Sequence, residues 1–542
     1  MVKQFQAKQF VSVKFFCWAI FLLFLLMVVL VRSRLLNLPL ERDEGEYAYF
    51  GQLLLHGIPP YQLAYNMKLP GTYAAYALCM AIFGQSIQGV HLGLLIVNLA
   101  SIILLFFITK RLFGYLAGIF SAISYAALSI NQSVLGLQGH AEHFVVLMAL
   151  CGSLLLLKAA ETEKNKFVFL SGLFFGLAFL MKQSGIFFVP FGLFYLCWAY
   201  FKKHPAQKSA WVFKLITYTL GAILPFAVTC TVFLFTGVFD KFWFWVFQYA
   251  FKYQSAVPLG EAWNTLKYYL AYVTHPFRPV WYIAFLGLGC VFIDAKAKKQ
   301  VIFVSVLLIT SFLSLCPGFV FREHYFLAAL PVISILAGCC IDSAHRFIRD
   351  RKQLSFWSFV PMVIFVIILL YPFYRQKHYL FESTPVQVSR LTYGANPFIE
   401  SIGIANYLKA HSSPNEAIAV LGSEPQIYFY SQRRSATGYI YAYPLMEKQP
   451  FALRMQQEMI HEIEAAKPRY LVFVHVYMSW LFQPESEKMI FEWAKGYIPA
   501  HYKIAGVIDI VSKDRTDYYW DAQAQNVQPL SPYNILVFKR QD

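Results

Sequence analysis

The sequence predicts a polytopic α-helical membrane protein that carries a soluble α/β domain at its C-terminal end, and three observations predict it. Hydrophobic residues fill 58% and charged residues only 14% of the 542 positions, proportions that a water-soluble globule does not sustain. Apolar stretches of roughly bilayer length recur from the N-terminal region to Tyr374. From Arg375 onward the chain turns polar and holds 16 of the 29 Asp and Glu residues. The resulting division is a membrane domain over 1–374 and a soluble domain over 375–542, with a long loop at 32–84 inside the first.

A window of about 19 residues marks about eleven spans: Val13 to Val31, Ile87 to Ile108, Gly114 to Ile130, Ala141 to Leu157, Phe167 to Met181, Gly185 to Phe201, Trp211 to Phe235, Pro279 to Ile293, Val301 to Leu315, Tyr325 to Ile341 and Trp357 to Tyr374. The first exceeds the apolar core of a signal peptide and lacks a small-residue cleavage site, so it is expected to remain as an anchor. Lys3, Lys8 and Lys14 precede it, and alternate loops carry Lys110 with Arg111, Lys158 with Lys164 and Lys166, Lys202 with Lys203, Lys296 with Lys298 and Lys299, and Arg346 through Lys352. Basic residues mark the cytoplasmic side, which predicts a cytoplasmic N-terminus. The net charge of +17 is thereby assigned to topology, and nucleic acid is excluded as a partner. The opposite loops, 32–84, 131–140, 237–278 and 317–324 with the turn at Lys182, are expected outside the cytoplasm.

In the C-terminal part, Ala417 to Leu421, Tyr470 to His475, Ile504 to Val511 and Ile535 to Phe538 read as strands, and Phe398 to Lys409 and Phe451 to Ala466 as helices. This is the pattern of an α/β domain, expected on the extracytoplasmic side. All nine cysteines lie between Cys17 and Cys340, so the domain folds without disulfides.

Four carboxylates, Glu41, Asp43, Glu44 and Glu46, stand within six residues just after the first span. Carboxylates beside a bilayer are costly and concentrate where function requires them. The same loop continues through a helix-like stretch to His56, a Gly57-Ile58-Pro59-Pro60-Tyr61 turn and Asn66-Met67-Lys68-Leu69-Pro70-Gly71. Tyr73 to Phe83 is apolar but too short to span, and is expected along the membrane interface. Gln138, His140, Glu142 and His143 gather at the start of the fourth span, and the aromatic run Phe239 to Tyr253 is expected to lie at the interface along a lipid path.

The acidic pair after the first helix, a Lys-x-Pro downstream, Lys182 between two adjoining helices, and the Arg-x-His-Tyr-Phe-Leu element from Arg322 to Leu327 together resemble the GT-C superfamily. These are membrane glycosyltransferases that use polyprenyl-phosphate sugars, and the bacterial branch akin to protein mannosyltransferases and lipid A aminoarabinose transferases is the nearest likeness. The resemblance implies Asp43 as catalytic base with Glu44 as helper. It also departs from the aminoarabinose branch, where an acid precedes the loop lysine; here Met67 does. A divalent metal is therefore left open, with Asp43, His140 and Glu142 as candidate ligands.

The chemistry points the same way. A sugar transferase working outside the cytoplasm needs a lipid-carried donor, a carboxylate to take the acceptor proton, and positive charge for the leaving phosphate. Lys68, Arg322, His324 and Lys182 are the candidates for that phosphate. A single displacement inverts the anomeric centre, without the nucleophilic carboxylate of a retaining glycosidase. The expected function is transfer of a monosaccharide from a polyprenyl-phosphate donor to an envelope glycolipid, glycan or protein at a bacterial inner membrane. The alternative is a transporter or lipid flippase of envelope polysaccharide assembly.

Overall fold

The computed structural model describes residues 2–205, 208–253, 257–352 and 357–541, and side chains other than those of 2–14, 208–211, 253 and 352. The side chains of Lys3, Lys8, Lys14, Trp211, Tyr253 and Lys352, named above, lie outside the described residues. The chain forms two compact units: Met1–Arg34, His91–Cys230 and Gln254–Glu382 make the first, and Leu35–Val90, Thr231–Tyr253 and Ser383–Asp542 the second.

The first unit is helical, and each apolar segment singled out above coincides with helix. Among the described residues, eight helices are long and apolar enough to cross a membrane, as expected of an integral membrane protein. Three further anticipated spans, Tyr115–Leu128, Asn165–Met181 and Val301–Leu313, are helices of 14, 17 and 13 residues. These fall short of the ~20 residues that cross a bilayer upright. Close packing in this unit relies on small residues. Gly172 and Gly176, a small-xxx-small pair, face the helix Lys208–Phe235, where a Cβ on either would lie 2.1 Å from the carbonyl oxygen of Tyr218 or 2.2 Å from that of Ala222. Without a hydrophobic drive between helices in lipid, such backbone approach supplies the dispersion contact that holds them. The segment 237–278, expected as a loop, contains a further helix, Leu259–Thr274, which buries Ala262 and Val273 and exposes Leu259, Trp263 and Tyr268.

The second unit is built on a five-stranded mixed sheet: β1 (Ile418–Leu421), β2 (Tyr470–His475), β3 (Tyr502–Ile510), β4 (Thr516–Trp520) and β5 (Asn534–Arg540), in the order β1-β2-β5-β3-β4. β1 and β2 pair in parallel, and the remaining pairs are antiparallel. A parallel pair requires a crossover, and the chain between them includes the helix Ala452–Ala466, which packs on Met489–His501. All four residues of β1 are buried.

The loop after the first helix is part of this unit. Its helix Arg42–Leu55 packs on Gly71–Phe83, with the rings of Phe50 and Tyr73 stacked at 4.0 Å, and on Gln426–Ser431 of the sheet region, with Tyr49 against Tyr428 at 5.2 Å. Tyr65 donates its backbone N–H to Gly438 at 2.7 Å, and its ring occupies the space where a Gly438 side chain would sit. The aromatic run also belongs here. It forms a helical turn, Phe239–Trp243, a π-helical turn, Phe244–Tyr249, and a short helix, Ala250–Tyr253. Phe242, Trp245 and Tyr249 are buried, and Phe244 meets Phe451 at 5.1 Å.

Candidate active site

The helix Arg42–Leu55 begins with a capping box. The Glu41 carboxylate accepts from the backbone N–H of Glu44 at 2.9 Å, and the Glu44 carboxylate accepts from that of Glu41 at 3.2 Å. Reciprocal capping satisfies two otherwise orphaned donors. Both acids take part in the cap at the helix start, and Glu44, expected as a helper of Asp43, is fully buried there. Burial, followed by the neighbouring Asp43 and Glu44, raises the Glu41 carboxyl well above the usual carboxylate range.

Asp43 and Glu46 are three residues apart and so share a helix face. Lys68 joins them, with its ammonium 2.8 Å from Asp43 Oδ1 and 2.7 Å from Glu46 Oε2. Tyr441 donates to the same Asp43 oxygen at 3.2 Å, and Tyr73 donates to the other Glu46 oxygen at 2.8 Å. The lysine is placed by Tyr61, whose hydroxyl donates to the Lys68 carbonyl at 2.6 Å, and by the face of Tyr47, 4.6 Å from the ammonium. Burial raises the Glu46 carboxyl to about 7 against the pull of Lys68. For Lys68, burial favours losing the proton, but Asp43 and Glu46 outweigh it and hold the ammonium well above its ordinary range. The side chains of Asp43 and Lys68 are 20% and 21% exposed while Glu46 is closed off. The cluster is thus an oriented carboxylate with an open side, backed by a buried acid and a cation.

Arg42, next to Asp43, makes the complementary contact. Its Nε donates to the Ser423 carbonyl at 2.6 Å, one Nη to the Tyr443 hydroxyl at 2.9 Å, and the other to Asn396 at 3.2 Å and Glu424 at 2.9 Å. Glu424, fully buried, also accepts from Ser479 at 2.6 Å.

In the helical unit, the residues expected at the phosphate form a group of their own. Lys182 ends the helix Asn165–Met181, pairs with Glu142 and stands 3.9 Å from the Tyr325 ring centroid. His140 precedes the helix Ala141–Thr162, and its imidazole stacks on that of His324 at 4.1 Å with planes 11° apart. The chain reaches His324 through a strained stretch, with Gly318, Phe319 and Phe321 at φ of 72°, 52° and 47°. Left-handed backbone at a bulky residue costs ~1–2 kcal/mol and collects at functional sites. Arg322, half-buried, directly precedes the turn Glu323–Ala328 that holds His324. Buried nearby in sequence, Gln138 hydrogen-bonds with neither amide atom among the described residues, and the second Glu142 oxygen likewise has no partner there.

Of the candidate residues, Asp43 joins Lys68 in one unit, and His324 and Lys182 join His140 and Glu142 in the other. Glu46 takes no role of its own from the sequence, although its three-residue spacing from Asp43 carries the signal of a shared face. Tyr441 and Arg42 carried none, since their partners lie hundreds of residues away.

The sequence profile of the dolichyl-phosphate-mannose-protein mannosyltransferases matches residues 68–233. The fold is similar to that of ArnT from Cupriavidus metallidurans bound to undecaprenyl phosphate, with a TM-score of 0.58, 12% identity, and coverage of 96% of this chain and 98% of that one. It is also similar to the oligosaccharyltransferase AglB from Archaeoglobus fulgidus in complex with an inhibitory peptide and a dolichol-phosphate, with a TM-score of 0.52, 14% identity, and coverage of 98% and 76%. No curated relative matches the chain. The profile match covers only part of the chain, and the likeness to the two structures is one of fold.

Proposed function

We propose that the chain transfers a monosaccharide from a polyprenyl-phosphate donor to a hydroxyl of an envelope glycolipid, glycan or protein on the extracytoplasmic side of the membrane, with inversion at the anomeric carbon. The observation that carries this reading is the Asp43 carboxylate, one-fifth exposed and held at one oxygen by Lys68 and Tyr441. Asp43 takes the acceptor proton as the hydroxyl attacks, and oriented proton transfer of this kind contributes roughly 10²–10⁴ in rate. Lys68 and Tyr441 fix the carboxylate, and Glu46 balances the lysine.

Lys182, Arg322 and His324 are the groups of the helical unit suited to the leaving phosphate, whose growing charge calls for cations rather than a proton donor. A divalent ion there supplies Lewis-acid charge when bound. Glu142 and Asp43 each meet a lysine at one oxygen only and His140 stacks on His324, so Asp43, His140 and Glu142 all stay candidate ligands. The likeness to ArnT and AglB, whose structures hold undecaprenyl phosphate and a dolichol-phosphate, supports the donor class.

The test is Asp43→Asn in reconstituted full-length protein given a polyprenyl-phosphate sugar and an envelope lipid extract. Transfer is expected to fall about 10²-fold or more with insertion and melting unchanged. Transfer at the wild-type rate removes the assignment.

A further inference from the structure

A cavity of about 210 Å³ lies in the second unit between the aromatic turns and the helix Ala452–Ala466. Its volume falls below the ~300 Å³ at which drug-sized pockets begin, and suits one six-membered sugar ring. Phe244 and Phe451 form an aromatic corner on one side, 5.1 Å apart with planes at 76°. Asp240, Lys241, Arg454 and Glu458 also line the cavity. Lys241 pairs with Glu458, which also accepts from Tyr439 at 2.9 Å. Asp240 and Arg454 are exposed on the rim.

The charges decide the ligand class. Two acids and two bases cancel, so a phosphate or carboxylate would meet as much repulsion as attraction, and an acyl chain would cover the rim charges of Asp240 and Arg454 without giving them partners. A neutral pyranose satisfies both parts: its C–H face lies on aromatic rings, and its vicinal hydroxyls take bidentate contacts from carboxylate and guanidinium. The wall that carries Phe244 and Trp245 is π-helical, a form that costs regular hydrogen bonding and recurs at functional sites.

We propose that this cavity binds a neutral pyranose unit, and that the unit belongs to the acceptor. Tyr439 lines it, and Tyr441, two residues on and so within about 7 Å along extended chain, is the residue that donates to Asp43. A sugar held here lies beside the proposed base as the neighbour of the ring that attacks, which makes the acceptor a glycan or glycolipid sugar rather than a protein side chain. The word acceptor rests on the reading of Asp43 as base; saccharide binding does not.

Saturation-transfer NMR of the full-length protein in nanodiscs tests it, with a mixture of the methyl pyranosides of glucose, galactose, mannose and N-acetylglucosamine. Inorganic phosphate and N-acetylserine amide serve as separate arms. At least one pyranoside is expected to bind, to bind Asp43→Asn equally well, and to weaken about tenfold in Phe451→Ala and in the rim variant Arg454→Ala, which leaves the core untouched. No pyranoside signal, equal binding by both cavity variants, or displacement by phosphate or by the serine amide overturns the proposal. Full transfer by Asp43→Asn with pyranoside binding intact removes the acceptor role alone and leaves a saccharide site.

Discussion

On the helix Arg42–Leu55, adjacent residues carry two charged assemblies that differ in closure. Arg42 lies with four partners around its guanidinium and pairs with Glu424, the two side chains 7% and 0% exposed. Asp43 shares Lys68 with Glu46 and keeps a fifth of its surface open. A planar fork in a fully occupied nest is suited to fixing position, whereas a point charge shared between two carboxylates, with one side accessible, can exchange one partner for a substrate. The difference separates the part of the helix that attaches it to the sheet domain from the part available for chemistry.

The largest effect is expected on the closed side. Arg42→Met strands the Glu424 carboxylate, and loss of one member of a buried pair costs ~3–5 kcal/mol. Thermal melting of the full-length protein in detergent should show the loss, and Arg42→Met with Glu424→Leu should recover much of it, because apolar replacement of a whole buried pair is often neutral. A single variant that melts like wild type while transfer collapses would reverse the assignment of the two sides.

Glu46 offers the next test. Burial holds its carboxyl at about 7, up from the usual 4.5. Below about 4.5 both folded and unfolded chains carry the proton and no stability is lost; from about 4.5 the unfolded chain ionises first, so stability falls as pH rises to about 7, and the ~3 kcal/mol loss is complete above that. Glu46→Gln mimics the protonated form, so the fall in melting temperature between about pH 5 and about pH 8 should shrink in that variant. An unchanged fall would mean that Lys68 keeps Glu46 ionised, and that the cluster behaves as a closed ion pair like Arg42 and Glu424.

Much of this architecture was legible in the sequence, and the omissions share a cause. Apolar spans announce themselves by composition, and strands such as Tyr470–His475 by a continuous β-branched and aromatic run. The edge strand Thr516–Trp520 has a mixed, half-exposed face, which gives no such run. The helix Met489–His501 contains Pro499, a residue that argues against helix when the sequence is read locally. Asp43 and Lys68 were visible because one loop holds both. The Arg42 to Glu424 and Tyr441 to Asp43 contacts close across nearly 400 residues, where no local pattern reports pairing; the hydrogen bond from the Glu41 N–H to the Glu44 carboxylate shows only in the folded chain.

Gly45, between the two assemblies, allows the sharpest comparison although its effect is the smallest. A Cβ there would stand 2.7 Å from Gln426 Cβ and 2.8 Å from its backbone nitrogen, atoms that cannot swing aside. Gly45→Ala should therefore push the helix away from the sheet domain, at the ~1–3 kcal/mol typical of overpacking. At Gly51 on the same helix the nearest atom is the Met80 methyl at 2.7 Å, the end of a flexible side chain, so Gly51→Ala should cost less. If the Arg42 contacts set the position of Asp43, Gly45→Ala lowers kcat about tenfold beyond its effect on KM, since the base moves while the Lys68 loop stays. Gly51→Ala then leaves kcat near wild type. Equal kcat in the two variants, with melting lowered only for Gly45→Ala, would mean that the closed side stabilises the helix without positioning the carboxylate.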